Sequence, residues 1–394
     1  MVCCISVGKF DKYFFAVLIG CISCFLNRFL NHYKSKLFDN PIIHNIFISI
    51  SKLFGIIPYL MTRKLYKDDP QIEKLMKNDI TQEEIANETK RIKRTKWRYL
   101  FLSAIAYLAN QVTYISSIKI KSNTSILNIV FSSLFYYLFF KNKLYMHHYL
   151  SGGLIIILGI TIDLILGNLQ KDLTENTWIF FLRILREAIY SLSSNIDKYA
   201  MEKKFISVYL LLFSNGVFTV IILGIFAIFD YFFIHIDKYK EYFGEFSVEE
   251  LLIALGTIIT QFSLKLSIAL TNKYFSPCHI FIIFVFGQLG VYVDTKYFEF
   301  IWKMIVVIIC LLFILFLSLI FNEIFEINVC GLSDNTKKNI SKRAVIDEID
   351  MMAIKKGTLE SELSEGTELI NQDNDNMSNK NDEDPEKDMN INQL

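Results

Sequence analysis

The residues of this chain best suited to chemistry are charged and amide side chains set in long apolar surroundings. Lys52 lies within the mostly apolar stretch 42–62, Glu187 within 177–197, and Gln261 and Lys265 within 250–271. An ionisable group in a membrane-spanning stretch is expensive unless it faces a protein interior or a water-filled cavity, so it is a functional candidate by default. At ~1.5 Å of rise per residue, Lys52 and Glu187 both fall about 15 Å from one end of their stretches. The same count puts Gln261 and Lys265 between about 16 and 23 Å. Arg183 and Arg186 stand one turn from Glu187, and Arg183, four residues before it, shares its helix face and can pair with it. Asn110, Gln111 and Asn128 add uncharged hydrogen-bonding groups. Lys52, Arg183, Arg186 and Lys265 around one central carboxylate, Glu187, give a polar cavity with surplus positive charge. Such a cavity favours an anionic substrate, for instance a phosphate-bearing one. The competing reading is that Glu187 pairs with Lys52 or Arg183 only to staple helices, while the other charges snorkel as Arg28 and Lys303 do near the ends of their stretches.

The elements that hold these groups are set by hydropathy. About ten apolar stretches of spanning length run through Tyr13–Phe321, at 13–33, 42–62, 98–118, 123–140, 147–167, 177–197, 206–230, 250–271, 276–294 and 300–321. In lipid every backbone N–H and C=O needs an internal partner, so consecutive spans of this kind are helices. The fold class expected is an all-α polytopic membrane protein, with about ten transmembrane helices. Hydrophobic residues make up 53% of the 394 residues and the mean hydropathy is +0.35, a balance that whole helices apolar all round explain and a soluble chain does not. The net charge of +1 is uninformative because the charges are segregated into loops and tail.

The loop 63–97 is rich in Lys and Arg, including Arg91, Lys93 and Arg94, and the positive-inside rule places it in the cytosol. Carrying that choice along the chain puts the N-terminus 1–12, Lys141–Lys143, Lys198–Lys204 and the tail 322–394 on the same side. The opposite side receives neutral to acidic connections. The tail is largely Asn, Asp, Glu and Lys without an apolar cluster, the composition of a disordered segment. The even span count, divided by a medium connection after the fifth, suggests two five-helix halves, 13–167 and 177–321, the second inverted relative to the first. Inverted repeats are a transporter signature, with substrate bound near the midplane.

Other features carry structural readings. Ser151, Gly152, Gly153 and Gly159 line one side of the fifth span, and Gly287 and Gly290 do so in the ninth, where small residues let helices approach in lipid. Of the seven cysteines, Cys21 and Cys24 have the spacing of a redox or metal pair but sit in an apolar helix without polar neighbours, and read as small apolar residues. His147-His148 begins a helix at the interface with no acidic partner nearby in sequence, so no metal site is expected. No phosphate-binding glycine loop, HExxH pair or nucleophile elbow is present in the sequence, and no cofactor or enzymatic activity is expected.

The layout and several local motifs resemble the drug/metabolite transporter superfamily, and within it the nucleotide-sugar-transporter-like branch, solute carrier family 35, F-type. Phe38-Asp-Asn-Pro41-Ile-Ile-His44 is similar to the aromatic-x-His-Pro-Phe-x-Gln opening of the second helix in that branch. Asp197-Lys198 is similar to the acidic-Lys pair ending its sixth helix, and Gly152 with Gly159 to its glycine-spaced fifth helix. The resemblance implies ten helices in two inverted halves, cytosolic termini and an endomembrane location such as Golgi or ER. The chain departs from it at Lys52, where the resemblance implies an acidic residue. The function expected is secondary transport of a small organic anion or metabolite by alternating access, for instance nucleotide-sugar exchange for a nucleotide monophosphate. The alternative is a non-transporting scaffold that recruits partners through its cytosolic tail. The partners expected are the lipid bilayer and an anionic small molecule, with a homodimer as a further candidate and no nucleic acid.

Overall fold

Long apolar runs leave the backbone no water to bond, so the chain satisfies it within helices. The computed structural model describes residues 5–7, 14–32, 40–65, 82–117, 124–141, 144–233, 248–292 and 301–327. The helices are α1 (Phe14–His32), α2 (Pro41–Leu53), α3 (Ile56–Leu65), α4 (Gln82–Ser116), α5 (Leu127–Phe140) and α6 (Met146–Ile165). They continue with α7 (Asn168–Glu175), α8 (Thr177–Lys203), α9 (Val208–Phe233), α10 (Val248–Tyr274), α11 (Ile280–Tyr292) and α12 (Ile301–Phe321). Besides these helices, strand β1 (Ile5–Val7) pairs antiparallel with β2 (Phe325–Ile327), Ile5 opposite Ile327.

Five helical segments among the described residues are long and apolar enough to cross a membrane: Pro41–Met61, Met146–Ile165, Val208–Phe232, Leu251–Tyr274 and Ile301–Phe321. Phe14–Asn27, Thr124–Phe140 and Pro277–Leu289 are shorter apolar helices. Large apolar side chains such as Ile225, Phe226, Ile259 and Phe313 face outward, as a lipid solvent allows and water does not. These are the features of a multi-pass membrane protein.

Three local departures from the expected spans have physical causes. The stretch 42–62 is broken at Phe54–Gly55, where Gly55 N–H bonds Lys52 O at 3.0 Å in a tight turn. A Cβ on Gly55 would stand 3.0 Å from the Tyr209 carbonyl oxygen, so glycine allows α9 to pass close at the break. The second half of the expected loop 63–97 is instead the start of α4, because Gln82–Trp97 is rich in Glu, Lys and Arg, good helix formers even when exposed. The connection after the fifth span holds the short α7, entered through Gly167 at φ 69°. The tail from 328 onward lies outside the described residues.

Helices pack in a small set of pairs. α1 lies against α10 and α11, α2 against α9 and α10, α4 against α8 and α9, α5 against α8, and α6 against α12. One apolar cluster joins Ile129, Ile155 and Ile162 of α5 and α6 to Val307, Leu311 and Ile314 of α12. A second joins Val17, Cys21 and Cys24 of α1 to Leu264 of α10 and to Ile282 and Ile283 of α11, so both cysteines act as apolar packing groups. Lipid is as apolar as leucine, so close packing rather than transfer from water holds such pairs together. Gly159 meets the Ile126 side chain and Gly287 meets Cys24 so closely that an added Cβ would clash, whereas Gly153 faces open space.

Candidate functional site

The polar centre begins with how α2 is started. Asn40 Oδ1 accepts the Ile42 and Ile43 N–H groups at 2.8 and 3.3 Å, and Pro41 takes the first helical position, where its missing N–H costs nothing. This start fixes the helix phase, and Asn45, Ser49 and Lys52, at spacings of four and three, share one buried face. Lys52 is only 4% exposed, and its Nζ stands 3.0 Å from the centroid of the Tyr107 ring on α4, a close cation–π contact. Its charged neighbours are Lys265 of α10 and Asp197 of α8. Ser103 of α4 donates its hydroxyl to Asp197 Oδ1, and the same hydroxyl lies 3.1 Å from Asn215 Oδ1 of α9. Lys52, Tyr107, Tyr190, Asp197, Asn215 and Lys265 line one cavity of about 50 Å³, together with Ser193, Ser194 and Asn272. That volume holds a few water molecules.

The expected central carboxylate is elsewhere. Glu187 sits about 15 Å back along α8 from Asp197 and does not line the cavity. It pairs with Arg186, Nη1 to Oε1 at 3.0 Å. Arg186 and Arg183 stand over the Tyr114 ring of α4, their Cζ atoms 4.7 and 5.6 Å from its centroid. Tyr190 links the two regions: it lines the cavity and has Arg186 and Glu187 as charged neighbours. Of the expected charged groups, the structure therefore brings Lys52 and Lys265 together and leaves Arg183, Arg186 and Glu187 as a separate cluster.

The uncharged candidates act between helices. Asn128 Oδ1 accepts from Ser132 at 3.1 Å, and the Asn128 backbone oxygen accepts from Ser191 of α8 at 3.3 Å. Gln261 Nε2 donates to Asn27 Oδ1 of α1 at 2.9 Å. Asn110 and Gln111 are buried on α4, one turn beyond Tyr107, whose hydroxyl lies near Gln111 and Ser49 without hydrogen-bond geometry. Asn110 Oδ1, Asn128 Nδ2 and Gln261 Oε1 also lack a hydrogen-bond partner. Buried polar atoms are normally paired, so each of these calls for water or another partner.

Asp197 and its support were missed by counting depth. The available signal was the polar spacing of α4, where Ser103, Tyr107, Asn110 and Gln111 fall on one face within a hydrophobic helix. Lys198, beside Asp197, is fully buried, donates to the Asn272 and Lys273 carbonyls at 3.0 and 3.3 Å and pairs with Glu202 at 2.5 Å. Asn272 Nδ2 returns a bond to Ser194 O at 2.6 Å. The cation thus caps the carbonyl end of α10, where a helix dipole favours positive charge, and locks α8 to α10.

Two further features lie apart from the cavity. The sequence gives His147-His148 no acidic neighbour, but the fold supplies one: Glu323, beyond the end of α12, has Oε1 3.3 Å from His147 Nε2 and 3.8 Å from His148 Nε2. A recess of about 680 Å³ lies between α5 and α6, lined by residues such as Val130, Leu134, Tyr137 and Tyr149. It lacks the convergent charges of the smaller cavity. Compared by sequence, the chain matches no protein-family model and no curated protein.

Proposed function

We propose that this protein is a secondary transporter of a small organic anion, working by alternating access with ten spans arranged as two inverted five-helix halves, 13–167 and 177–321. The observation that carries the reading is the cavity lined by Lys52 from the first half, Lys265 from the second and one carboxyl group, Asp197. Two basic side chains beside one carboxyl group in a low-dielectric enclosure offer an anion cationic partners from both halves. Tyr107 and Tyr190 offer aromatic walls beside it. A substrate of organic-anion size needs the helices around the cavity to separate, which is the motion alternating access supplies.

The helix pairs support the inverted arrangement. Exchanging each span for its counterpart five spans along turns the α1–α10 pair into α8–α4, α1–α11 into α8–α5, and α4–α9 into α10–α2, while α2–α9 and α6–α12 map onto themselves. Every one of these pairs packs. The basic segment opening α4, with Lys90, Arg91, Lys93 and Arg94, supports a cytosolic position for that end and an endomembrane carrier with both termini in the cytosol.

The experiment is thermal stabilisation of the purified protein against nucleotides, nucleotide sugars, sugar phosphates and amino acids, followed by counterflow of each hit in proteoliposomes. A ligand that binds only the folded state raises apparent stability by mass action. Stabilisation by anions that is lost in Lys52→Met and Lys265→Met is expected. Stabilisation that ignores both substitutions, or counterflow of none of the hits, overturns the reading.

A further inference from the structure

We propose that His147, His148 and Glu323 form a three-ligand Zn²⁺ site joining the start of α6 to the end of α12. One donor atom from each of the three lies within 4.8 Å of the others. The two recorded separations, 3.3 Å from His147 Nε2 and 3.8 Å from His148 Nε2 to the same carboxylate oxygen, are too long for strong charged hydrogen bonds. They are the edges of a coordination polyhedron: ligands about 2.0–2.1 Å from a tetrahedral zinc stand about 3.3 Å from one another.

The second observation is His147 itself. Its ring is more than nine-tenths buried, and neither ring nitrogen makes a hydrogen bond, although Nε2 faces the carboxylate. Buried polar groups are normally satisfied, and a metal on Nε2 satisfies this one. The rings of His147 and His148 lie 4.0 Å apart between centroids, side by side above the carboxylate that both face.

Glu323 is placed there by an unusual helix end. Ile324 N–H bonds Leu319 O at 2.9 Å and Glu323 N–H bonds Ile320 O at 3.0 Å, the double closure that usually has glycine at its left-handed position. Here that position is Glu323, at φ 57°. His279, whose Nδ1 lies 2.8 Å from Ser276 Oγ, has Glu323 as a charged neighbour. Two imidazoles and a carboxylate, with a fourth position left for solvent, suit Zn²⁺ and exclude Ca²⁺ and Mg²⁺, which take oxygen ligands.

Loading has a local consequence. His148 Nδ1 accepts the Tyr145 N–H at 3.2 Å, which assigns the ring proton to Nε2. Ligation through Nε2 moves that proton to Nδ1 and ends the bond from Tyr145, loosening the cap of α6.

The test uses the full chain, tag removed and stripped with chelator, in detergent micelles. Co²⁺ titration should give one saturable equivalent with the intense visible absorption of a four-coordinate ion, and Zn²⁺ should displace it. His147→Ala should weaken Co²⁺ and Zn²⁺ at least about tenfold, since even groups that only hold a ligand in place are worth about 10–100-fold. Glu323→Gln, nearly the same shape, guards against misfolding of the first variant and should weaken binding by a similar factor. Absence of a saturable equivalent in the unaltered protein, or affinity within twofold of it in Glu323→Gln, overturns the site.

Discussion

Two charged regions share α8 and differ in how they are made. The Arg186–Glu187 pair is built from neighbours in sequence, with Tyr114 of α4 as an aromatic rest for the cations, and Arg186 keeps 20% of its side chain exposed. The Lys52–Asp197–Lys265 group draws its three charges from α2, α8 and α10, with Ser103 and Tyr107 of α4 and Asn215 of α9 around it. The first keeps its geometry wherever α8 goes. The second exists only while the helices stay together, so helix separation must change it. A group of charges that depends on helix packing can couple binding to conformation, and a pair on one helix cannot.

The largest expected effect that tests this difference is Asp197→Asn. It removes the carboxyl group that Lys52 has as a neighbour and leaves Lys265 beside that lysine. Removing one member of a buried charged group typically costs about 3–5 kcal/mol. A marked fall in the apparent melting temperature is expected, together with loss of counterflow, and bound anion should restore part of the stability. Unchanged melting would show that the two lysines do not share this carboxylate.

Next in size is Lys52→Met against Lys265→Met. Each should weaken anion binding by roughly 1.5–3 kcal/mol, the worth of a hydrogen bond to a charged group. Their effects should be non-additive in the double variant, because both lysines would contact the same ligand. Full additivity, read from binding isotherms, would separate them into different sites.

Below these stands Gly216→Ala. A Cβ there would lie 3.0 Å from the Ser49 carbonyl oxygen and 3.0 Å from Lys52 Cβ. Backbone oxygen cannot step aside cheaply, so α9 must move off α2 at a cost of about 1–3 kcal/mol. The shift falls on Lys52, so anion affinity should drop with stability. Gly153→Ala, with nothing near its added methyl, is the control.

How much of this was legible in sequence follows the same division between local and assembled features. Apolar runs report helices, and 300–321 and 147–167 appear within two residues of α12 and α6. The cap of α2 at Asn40-Pro41 is a local signal, needing only neighbours, that hydropathy passed over by opening the stretch at 42. The break at Phe54–Gly55 was not legible, since it depends on α9 passing that point. Lys52 and Lys265, which the depth count set near one another, line one cavity, Lys52 buried and Lys265 half-buried. The carboxylate it placed with them, Glu187, lies outside the cavity that Asp197 lines, because depth along a span does not say how far spans are staggered. Glu323 as a partner for His147 and His148 could not be read at all, since chain separation hides a contact made only when α12 lies along α6.

The smallest expected effect is Glu187→Gln. The amide keeps an oxygen to accept from Arg186, and that cation, one-fifth exposed and resting on Tyr114, is not stranded when the charge opposite it goes. The cost should be about 1 kcal/mol, that of exchanging a charged for a neutral hydrogen bond. Transport should persist, with at most a modest change in affinity passed on through Tyr190, the residue the two regions share. Uptake measured after matching the amount of each variant in the membrane checks this against Asp197→Asn. Equal losses in both variants would mean that Glu187 joins the lysines during the transport cycle, and would dissolve the distinction between a fixed pair and an assembled site.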